Sequence, residues 1–384
     1  MEIFLERSEM NKTAFVAFYP VYPSSMGSSE VSSSFFESWI GQKKIFQISH
    51  LTKINSKEIH TNFITEETPI NKIFKIIPLV MDVKKYLINS ERSNVIIEGP
   101  SWIGYSFIFF ITLKILLPKT FFIYHSHSIE YEIRKKNSNF FISFITKIME
   151  CYIFNNVNLA TSVSIKEYKK IKKLYNKKTV IFSNGVSIKK LNNKNQKILL
   201  SKNKKILLPK KYIFYSGSYL YGPNKKAIDL LNNYFMPKLI KKFPNLKLIL
   251  TGGGYNFKHS WLVNLGIIKK DHLVQLLRNS QLILTPIYEG YGTRIKIIEA
   301  LMLGVPVISS PKGIEGIKYN SNAHPSTFVH NNKNILLRYT VNVLKNNQLY
   351  KKNSKQNKRM YIPIYSMEEI VKRFRLTLKK LQND

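Results

Sequence analysis

Arg294, Lys296 and Glu299 form the part of the chain whose residue types and spacing best match a chemical task. They lie at the predicted start of a helix that follows the glycine-containing loop 288–292. A helix start offers free backbone N–H groups and the positive end of the helix dipole, so two cations are disfavoured there unless an anion binds. A glutamate further along the same helix can accept hydrogen bonds from ribose hydroxyls. Together the three side chains predict a site for a nucleoside diphosphate.

The segment 292–300, followed by the buried run 305–310, resembles the donor-binding motif of the family 4 retaining glycosyltransferases, which have the GT-B fold. It fits the variant G-T-R-[LI]-K-[IL]-[LI]-E-A, found among bacterial enzymes that build surface polysaccharides and lipopolysaccharide. Three more segments are similar to motifs of the family and occur in the family's order: 127–134, 182–186 and 215–224. The resemblance extends from Val95 to Ser310, and the other residues match only in pattern.

The resemblance implies an α/β chain with two doubly wound Rossmann-like domains that face each other across a cleft. It implies a retaining, metal-independent hexosyltransferase whose co-substrate is a UDP- or GDP-linked sugar, with no other cofactor. The acceptor would be a glycan or glycolipid, lipid-linked, in the synthesis of bacterial surface polysaccharide or lipopolysaccharide. The implied protein is cytoplasmic, either free or peripheral on the inner face of the cytoplasmic membrane.

Site residues follow from the same resemblance. His127 would face the donor sugar, and Arg294 and Lys296 would stabilise the charge of the leaving diphosphate. Glu299 would bind the ribose, and Glu289 would reach the donor sugar if its loop bulges. The other donor-binding candidates lie in loops or at the helix start, where backbone groups can make contacts: Gly217, Ser218, Asn224, Lys225, Gly252, Gly266, Ile267, Tyr291, Gly292 and Thr293. Gly27 and Ser28, in the loop after the first predicted strand, are the acceptor-side candidates.

The phosphate-binding residues depart from the family's common form. Ser218 stands near the position of a family arginine, and Asn224 with Lys225 stands near the position of a family lysine. We therefore expect Arg294 and Lys296 to carry most of the interaction with the diphosphate.

Two assignments stay open at this stage. The family's pattern E-x(7)-E, counted back from Glu299, would put the first glutamate at Tyr291, whereas the chain has Glu289. His125 and His127 are two residues apart near a strand end, so both side chains would point to the same side of the sheet.

Composition limits the function classes. A chain of 384 residues with 44% hydrophobic residues is long enough for two domains with their own cores. The formal net charge of +37 comes mainly from lysine, which an AT-rich genome favours, whereas readers of nucleic acid tend to use arginine. We therefore predict no nucleic-acid partner. The single Cys151 excludes a disulfide framework, and no Cys/His cluster has zinc-ligand spacing.

Two other functions remain as alternatives. A nucleotide-sugar epimerase on the same fold would need acid and base carboxylates in the cleft and a different donor motif. A non-enzymatic polyanion binder is suggested only by the charge, and its affinity for nucleic acid would fall steeply with salt.

The alternation of short β-rich runs with helical runs predicts parallel sheets covered by helices. Strands are expected at 13–18, 45–49, 94–98, 120–125, 159–162, 179–183, 212–216, 246–251, 282–286 and 305–309. Helices are expected at 29–39, 102–117, 138–155, 164–175, 224–243 with a break near Pro237, 273–279, from 293 onward, and 367–381. The predicted domains are 1–188 on the acceptor side, a polar connector 189–211, a donor domain 212–365, and a C-terminal helix 366–384 that returns to the first domain.

Two segments concern membranes. Residues 102–117 are nearly all apolar, but Lys114 and Pro118 make the run too short for a span, so we predict a buried helix. The segment from Ser164 to Lys178 is basic and amphipathic, which is typical either of a helix on an anionic bilayer or of a packed helix with a solvated lysine face. Residues 1–12 are charged and lack the apolar core of a secretory signal.

Overall fold

Two parallel β-sheets organise the chain. The computed structural model describes residues 11–24, 27–175, 179–192, 208–290, 292–320 and 325–383. By its contacts the chain divides into two compact units: Met1–Asn184 with Ile370–Asp384, and Gly185–Glu369. The second boundary falls inside the C-terminal helix Met367–Asn383.

The sheet of the first unit has seven parallel strands in the order β3-β2-β1-β4-β5-β6-β7. The strands are β1 (Asn11–Ala17), β2 (Lys43–Ser49), β3 (Ile59–Phe63), β4 (Arg92–Glu98), β5 (Phe121–Ser126), β6 (Leu159–Ser162) and β7 (Thr179–Ile181). The inner strands are continuous runs of Val, Ile and Phe because helices cover both faces of the sheet.

Seven helices of the first unit precede its last strand or connect its strands. They are α1 (Gly27–Ser38), α2 (Pro69–Phe74), α3 (Ile76–Leu87), α4 (Ile103–Leu116), α5 (Glu130–Asn137), α6 (Phe140–Asn156) and α7 (Ile165–Tyr175). Successive residues of β1 point to opposite faces. Ala14 and Val16 join the core formed with α3, α4, α6 and α7, while Phe15 packs edge-on against Phe35 of α1 at 5.1 Å between ring centroids.

The sheet of the second unit has six parallel strands in the order β10-β9-β8-β11-β12-β13. The strands are β8 (Tyr212–Ser216), β9 (Lys247–Thr251), β10 (Leu262–Asn264), β11 (Leu282–Thr285), β12 (Val307–Ser309) and β13 (Thr327–Val329). The described helices of this unit are α8 (Ile188–Asn192), α9 (Gly222–Leu230), α10 (Met236–Ile240), α11 (Lys270–Asn279), α12 (Ile295–Leu303), α13 (Lys333–Lys345) and α14 (Asn347–Tyr365). The last helix, α15 (Met367–Asn383), begins in the second unit and belongs to the first unit from Ile370 onward. Tyr212 and Phe214 of β8 join one core, and Ile213 and Tyr215 join the other.

The two sheets share one strand order, and that order fixes where ligands can bind. In each sheet the first strand lies between the second and the fourth, so successive connections leave β1 and β8 on opposite sides. Doubly wound sheets bind ligands beyond the carboxyl ends of the strands at this reversal. In the first unit the reversal lies between β1 and β4, and in the second unit between β8 and β11. The prediction of two Rossmann-like α/β domains is confirmed.

Several boundaries differ from the sequence-based expectations. The helix expected at 224–243 continues through Pro237 as α9, a π-helical turn at Leu231–Phe235, and α10. In a regular α-helix the ring of Pro237 would clash with the carbonyl of Asn233, and the wider π-helical turn accommodates it. The helix expected from Thr293 begins at Ile295, with Arg294 as its N-cap. The strand expected from Val305 begins at Val307, directly after Pro306, which has no N–H to donate to a ladder.

Other elements were not predicted, or fall partly outside the described residues. The strands β3, β10 and β13 and the helices α2, α3, α5, α13 and α14 had no sequence-based assignment. Within the expected polar connector 189–211, α8 occupies the first residues, and 193–207 lie outside the described residues.

The apolar run 102–117 forms α4, whose Ile103, Phe109, Phe110 and Leu113 are fully buried. This confirms the buried helix. Within the described ranges, no helix combines the length and the apolar character needed to cross a bilayer.

The C-terminal helix α15 contributes to the core of the first unit. Phe374 lies 5.1 Å from Phe182 and 6.2 Å from Phe35 between ring centroids. The side chain of Gln382 donates a hydrogen bond of 2.8 Å to the side-chain oxygen of Asn94, near the start of β4.

A substitution at Gly252 tests the loop that follows β9. Gly252 has a φ of +120°, and a Cβ there would lie 2.3 Å from the carbonyl oxygen of Gly217. We expect Gly252→Ala to lower the free energy of unfolding by about 2–4 kcal/mol, measured by urea denaturation. Gly253→Ala is the matched control, because its Cβ would meet only the flexible end of Ile267 at 3.7 Å. Equal stability of the two variants would contradict this account of the loop.

Candidate functional site

The glycine loops beyond β8 and β9 are held together by backbone hydrogen bonds. The N–H of Gly217 donates to the carbonyl of Thr251 at 2.8 Å, and the N–H of Gly252 donates to the carbonyl of Gly266 at 2.8 Å. A Cβ on Gly217 would lie 2.7 Å from the side chain of Asn224. The structure therefore brings the predicted residues Gly217, Gly252, Gly266 and Asn224 into one cluster at the carboxyl edge of the sheet.

Lys296 reaches this cluster from the first turn of α12. Its Nζ donates to Oδ1 of Asn224 at 3.3 Å and lies 4.0 Å from the centroid of the Tyr215 ring. The Tyr215 hydroxyl donates to the same Oδ1 at 2.9 Å. Burial and the charge of Arg294 lower the pKa of Lys296 to about 7, against the opposite pull of Glu299. A bound anion would reverse this shift, since opposite charge favours the protonated amine.

Arg294 caps the start of α12 and is turned toward its own loop. Its guanidinium donates to the carbonyl of Gly292 and, at 3.1 Å, to the carbonyl of Glu289. The carboxylate of Glu289 forms an ion pair with Lys226 at 2.6 Å, with both side chains well exposed. Gly290, with a φ of +96°, lets the loop pass close to the Arg294 guanidinium. The predicted Arg294 and Glu289 are therefore neighbours through the loop backbone.

Glu299 lies further along α12 and is 2% exposed. Its carboxylate pairs with the Nζ of Lys270, at the start of α11. The Lys270 side chain is about one-quarter exposed, so the pair is buried on one side and open on the other. Sequence reasoning found Glu299 but not Lys270, because the two residues come from different helices.

The remaining donor-side candidates are more peripheral. The hydroxyl of Ser218 accepts a hydrogen bond of 3.3 Å from the N–H of Leu220. Lys225 lies over the ring of Tyr219, 5.4 Å from its centroid, and not against Asn224. Ile267 is 88% exposed. Gly292 and Thr293 lie directly before the N-cap of α12, and Tyr291 falls outside the described residues.

In the first unit, Glu98 is the centre of a buried hydrogen-bond network at the end of β4. Its Oε2 accepts from the hydroxyl of Ser32 at 2.6 Å and lies 3.0 Å from Nε2 of His127. Ser32 in turn lies 2.7 Å from the hydroxyl of Tyr19. Burial alone would raise the pKa of Glu98, but the hydrogen bonds from His127 and Ser32 hold it below its usual value. The network therefore keeps an ionised carboxylate at the reversal point of this sheet.

His125 and His127 have different surroundings although their rings are only 4.5 Å apart. His125 is fully buried between Phe35 and Phe182, and its Nδ1 lies 2.6 Å from the hydroxyl of Thr161. Burial lowers the pKa of His125 to about 3, so it is neutral at ordinary pH. His127 lies at the edge of the sheet and is partly exposed. The geometry favours His127 as the histidine that a ligand can reach.

Glu98, His125 and His127 bring potential metal-ligating atoms within 4.8 Å of one another. Oε2 of Glu98 interacts with Ser32 and His127, whereas Oε1 of Glu98 and Nε2 of His125 are buried and have no hydrogen-bond partner among the described residues. The sequence spacing of these three residues is not that of a zinc motif, and the cluster arises only when β4 and β5 pair.

The acceptor-side candidates lie at the start of α1. Gly27 is exposed, and a Cβ there would meet no atom within 4 Å. The preceding loop is fixed by Gln47, whose Oε1 accepts from the N–H groups of Val21 and Tyr22 at 2.8 Å each. Ser28 follows on the same turn, so the predicted pair begins the helix that comes after β1 along the chain.

The comparisons with known proteins give a family match over part of the chain and similar folds over nearly all of it. Residues 210–344 match a family model described as Glycosyl transferases group 1. The chain has the GT-B fold, because glycosyltransferase structures of that fold align over nearly its whole length. No curated protein sequence matches the chain.

Three solved structures illustrate the similarity. Sucrose-phosphate synthase (tll1590) from Thermosynechococcus elongatus is 14% identical, with 97% of this chain and 99% of that chain covered and a TM-score of 0.69. Anabaena HepE in complex with UDP and glucose is 11% identical, with coverage of 96% and 99% and a TM-score of 0.64. WaaG, described as a glycosyltransferase involved in lipopolysaccharide biosynthesis, is 12% identical, with coverage of 94% and 98% and a TM-score of 0.63.

The role of the Glu98 charge can be tested by its pH dependence. The pKa of Glu98 is lowered in the folded chain, so its contribution to stability is present above the ordinary value of 4.5 and is lost as pH falls below it. We expect Glu98→Gln to cost about 1–3 kcal/mol in the free energy of unfolding at pH 7, and less in acid. Urea denaturation at several pH values measures the difference. Glu91→Gln is the control, because Glu91 is exposed and directly precedes β4, and it should leave the free energy of unfolding unchanged. An equal loss of stability in the two variants would contradict the role of the Glu98 hydrogen-bond network.

Proposed function

We propose that the protein is a retaining glycosyltransferase that moves a hexose from a nucleotide diphosphate sugar to a glycan acceptor. The observation that carries this proposal is the cationic start of α12. Arg294 and Lys296 lie there beside the glycine loops of β8 and β9, and the pKa of Lys296 is depressed as expected where an anion would restore the charge. The match of residues 210–344 to a glycosyltransferase family model supports the same conclusion.

In this proposal the second unit binds the nucleotide and stabilises the leaving group. The bond between the anomeric carbon and the diphosphate oxygen breaks, and negative charge develops on the diphosphate. Lys296, Arg294 and the N–H groups at the start of α12 stabilise that charge without a metal ion. Glu299, positioned by its ion pair with Lys270, accepts hydrogen bonds from the ribose hydroxyls.

The first unit would hold the sugar and the acceptor. His127 contacts the hexose, while Glu98 accepts the hydrogen of Nε2 and so fixes the orientation of the imidazole ring. The acceptor hydroxyl forms the new bond to the anomeric carbon on the face that the diphosphate leaves. Its proton passes to an oxygen of the departing diphosphate, so the atoms and charges balance without an enzyme nucleophile. Glu289 can contact the donor sugar only after its ion pair with Lys226 breaks.

The substrate classes are proposed from similar proteins. HepE structures hold UDP and glucose or UDP-glucose, and a structure of TarM holds UDP and α-GlcNAc-glycerol. We therefore propose a UDP-linked sugar as donor, with GDP-linked sugars as the alternative. The proposed acceptor is a lipid-linked glycan of a bacterial surface polysaccharide or lipopolysaccharide, met by a cytoplasmic enzyme at the inner face of the membrane. Contact of the segment from Ser164 to Lys178 with the membrane stays a prediction.

Binding of nucleotide sugars tests the donor site directly. We expect calorimetry with a panel of UDP- and GDP-sugars to show binding of one nucleotide class. Arg294→Ala and Glu299→Gln should each weaken the affinity about 10-fold or more, since each removes a charged hydrogen bond to the ligand. Arg338→Ala, an exposed arginine of α13, is the control and should leave the affinity unchanged.

Two results would overturn the proposal. Absence of binding by every nucleotide sugar at low salt would remove the donor site. Conversion of the donor to an epimer in the absence of any acceptor would identify the epimerase alternative, and hydrolysis or transfer with retained anomeric configuration would exclude it.

The pH dependence of binding tests the role of Lys296. The pKa of Lys296 is about 7 in the free protein, so above that pH the amine must gain a proton before it can pair with the diphosphate. We expect the affinity for a UDP-sugar to be constant below pH 7 and to fall as pH rises, by up to about tenfold per pH unit. Lys296→Arg should bind without this dependence, because arginine stays charged. A flat profile in the wild type would contradict direct contact between Lys296 and the diphosphate.

A further inference from the structure

Helix α6 buries three polar side chains and exposes most of its large apolar side chains. Ser143, Thr146 and Glu150 are buried, with exposed fractions of 6% or less. Most of the exposed residues of the same helix are apolar: Phe140 (84%), Phe141 (69%), Ile142 (41%), Phe144 (50%), Ile148 (52%) and Tyr152 (40%). The exposed polar residues of the helix are Lys147 and Asn155. A surface helix of a water-exposed protein normally shows the opposite arrangement.

Hydrogen bonds of Glu150 fix this orientation of α6. The carboxylate accepts from the N–H groups of Glu130 and Tyr131, at 2.8 and 3.2 Å, and from the hydroxyl of Tyr175 at 2.7 Å. It thereby satisfies N–H groups at the start of α5. Rotating α6 to bury its phenylalanines would remove these bonds and leave buried donors without an acceptor. The buried hydrogen bonds of Glu150 therefore keep the phenyl rings on the outer side of α6.

The exposed rings form one patch with a basic border. Phe140 and Phe144 stack, with ring centroids 6.1 Å apart and planes within 14°. Three exposed lysines lie near these rings in the sequence, at the end of α5 and on α6: Lys135, Lys136 and Lys147. The carboxylates of α5 and α6 are all engaged, since Glu130 pairs with Arg134, Glu132 pairs with Lys170, and Glu150 lies in the core. Apolar rings beside lysines match the interface of an anionic bilayer.

We propose that this patch, Phe140, Phe141 and Phe144 with Lys135 and Lys147, binds an anionic lipid surface. The phenyl rings enter the boundary between headgroups and acyl chains, and the lysines pair with lipid phosphates. The basic helix α7 is a different surface, because its Ile171 and Tyr175 are packed in the core. The inference goes beyond the proposed function, since lipid binding requires neither a nucleotide sugar nor catalysis.

Vesicle binding of the full chain tests the proposal. The probes are vesicles of phosphatidylcholine alone and of phosphatidylcholine with phosphatidylglycerol, in cosedimentation at physiological salt. We expect the wild type to bind the anionic vesicles. The affinity of the double variant Phe140→Ser, Phe144→Ser should be lower by a factor of about ten or more. This variant keeps the charge of the chain unchanged, so it separates the patch from general attraction of a basic protein. Leu349→Ser, at an exposed leucine of α14, is the matched control and should bind like the wild type.

A second variant reports insertion rather than adsorption. Phe140→Trp should show a blue-shifted emission with anionic vesicles, and brominated lipids should quench it. Equal binding by wild type and the double variant, or a tryptophan that stays solvent-exposed on the vesicles, would overturn the proposal. A dimer that the double variant converts to a monomer, with vesicle binding unchanged, would instead assign the patch to an interface between copies of the chain. Nucleotide-sugar binding is measured on the same variants. A failure of lipid binding can then be distinguished from a failure of the proposed glycosyltransferase function.

Discussion

The pairing of buried ionised groups is the physical constraint on which both candidate sites depend. A carboxylate removed from water stays ionised only where donors or cations compensate its lost hydration. Glu98 has this compensation from Ser32 and His127, and the buried carboxylate of Glu299 forms an ion pair with Lys270. Removing one member of such a set leaves the others buried without partners, so each set behaves as a unit. The groups available for chemistry are therefore held in fixed positions at the carboxyl edges of their sheets.

Lys296 represents the opposite balance of charge. Its nearest polar contact is the neutral amide of Asn224, its ammonium lies over the Tyr215 ring, and the cation Arg294 is near. Burial and like charge oppose protonation, which is why the pKa of Lys296 falls toward neutrality. An anionic ligand would satisfy this cation at little cost in reorganisation, because the glycine loops already fix Asn224. The lowered pKa of Lys296 is thus consistent with the anion-binding role that the sequence motif predicts, and that role stays a prediction.

Sequence reasoning succeeded where a feature is local and failed where it depends on partners far along the chain. The alternation of strands and helices, the helix of Arg294 and Lys296, and the buried helix α4 all follow from neighbouring residues. Glu98 was missed although a charge that ends the apolar run of β4 was a visible signal, because its partners come from α1 and the loop after β5. The strands β3, β10 and β13 lie at the edges of their sheets, where most of their residues are only partly buried and no continuous apolar run marks them. Roles of the individual site residues stay predictions, since they concern a ligand.

The contrast between α6 and α7 shows why amphipathic pattern alone does not locate a binding surface. Both helices have apolar residues at helical spacing, and α7 follows the usual rule by burying Ile171 and Tyr175. In α6 the hydrogen-bonding requirement of the start of α5 places Glu150 inside. Phe140 and Phe144, one turn apart on the other side, must then point outward. A single buried carboxylate thus decides which face of α6 is apolar, so the exposed rings are a consequence of the fold's own hydrogen bonds and not of a loosely packed helix.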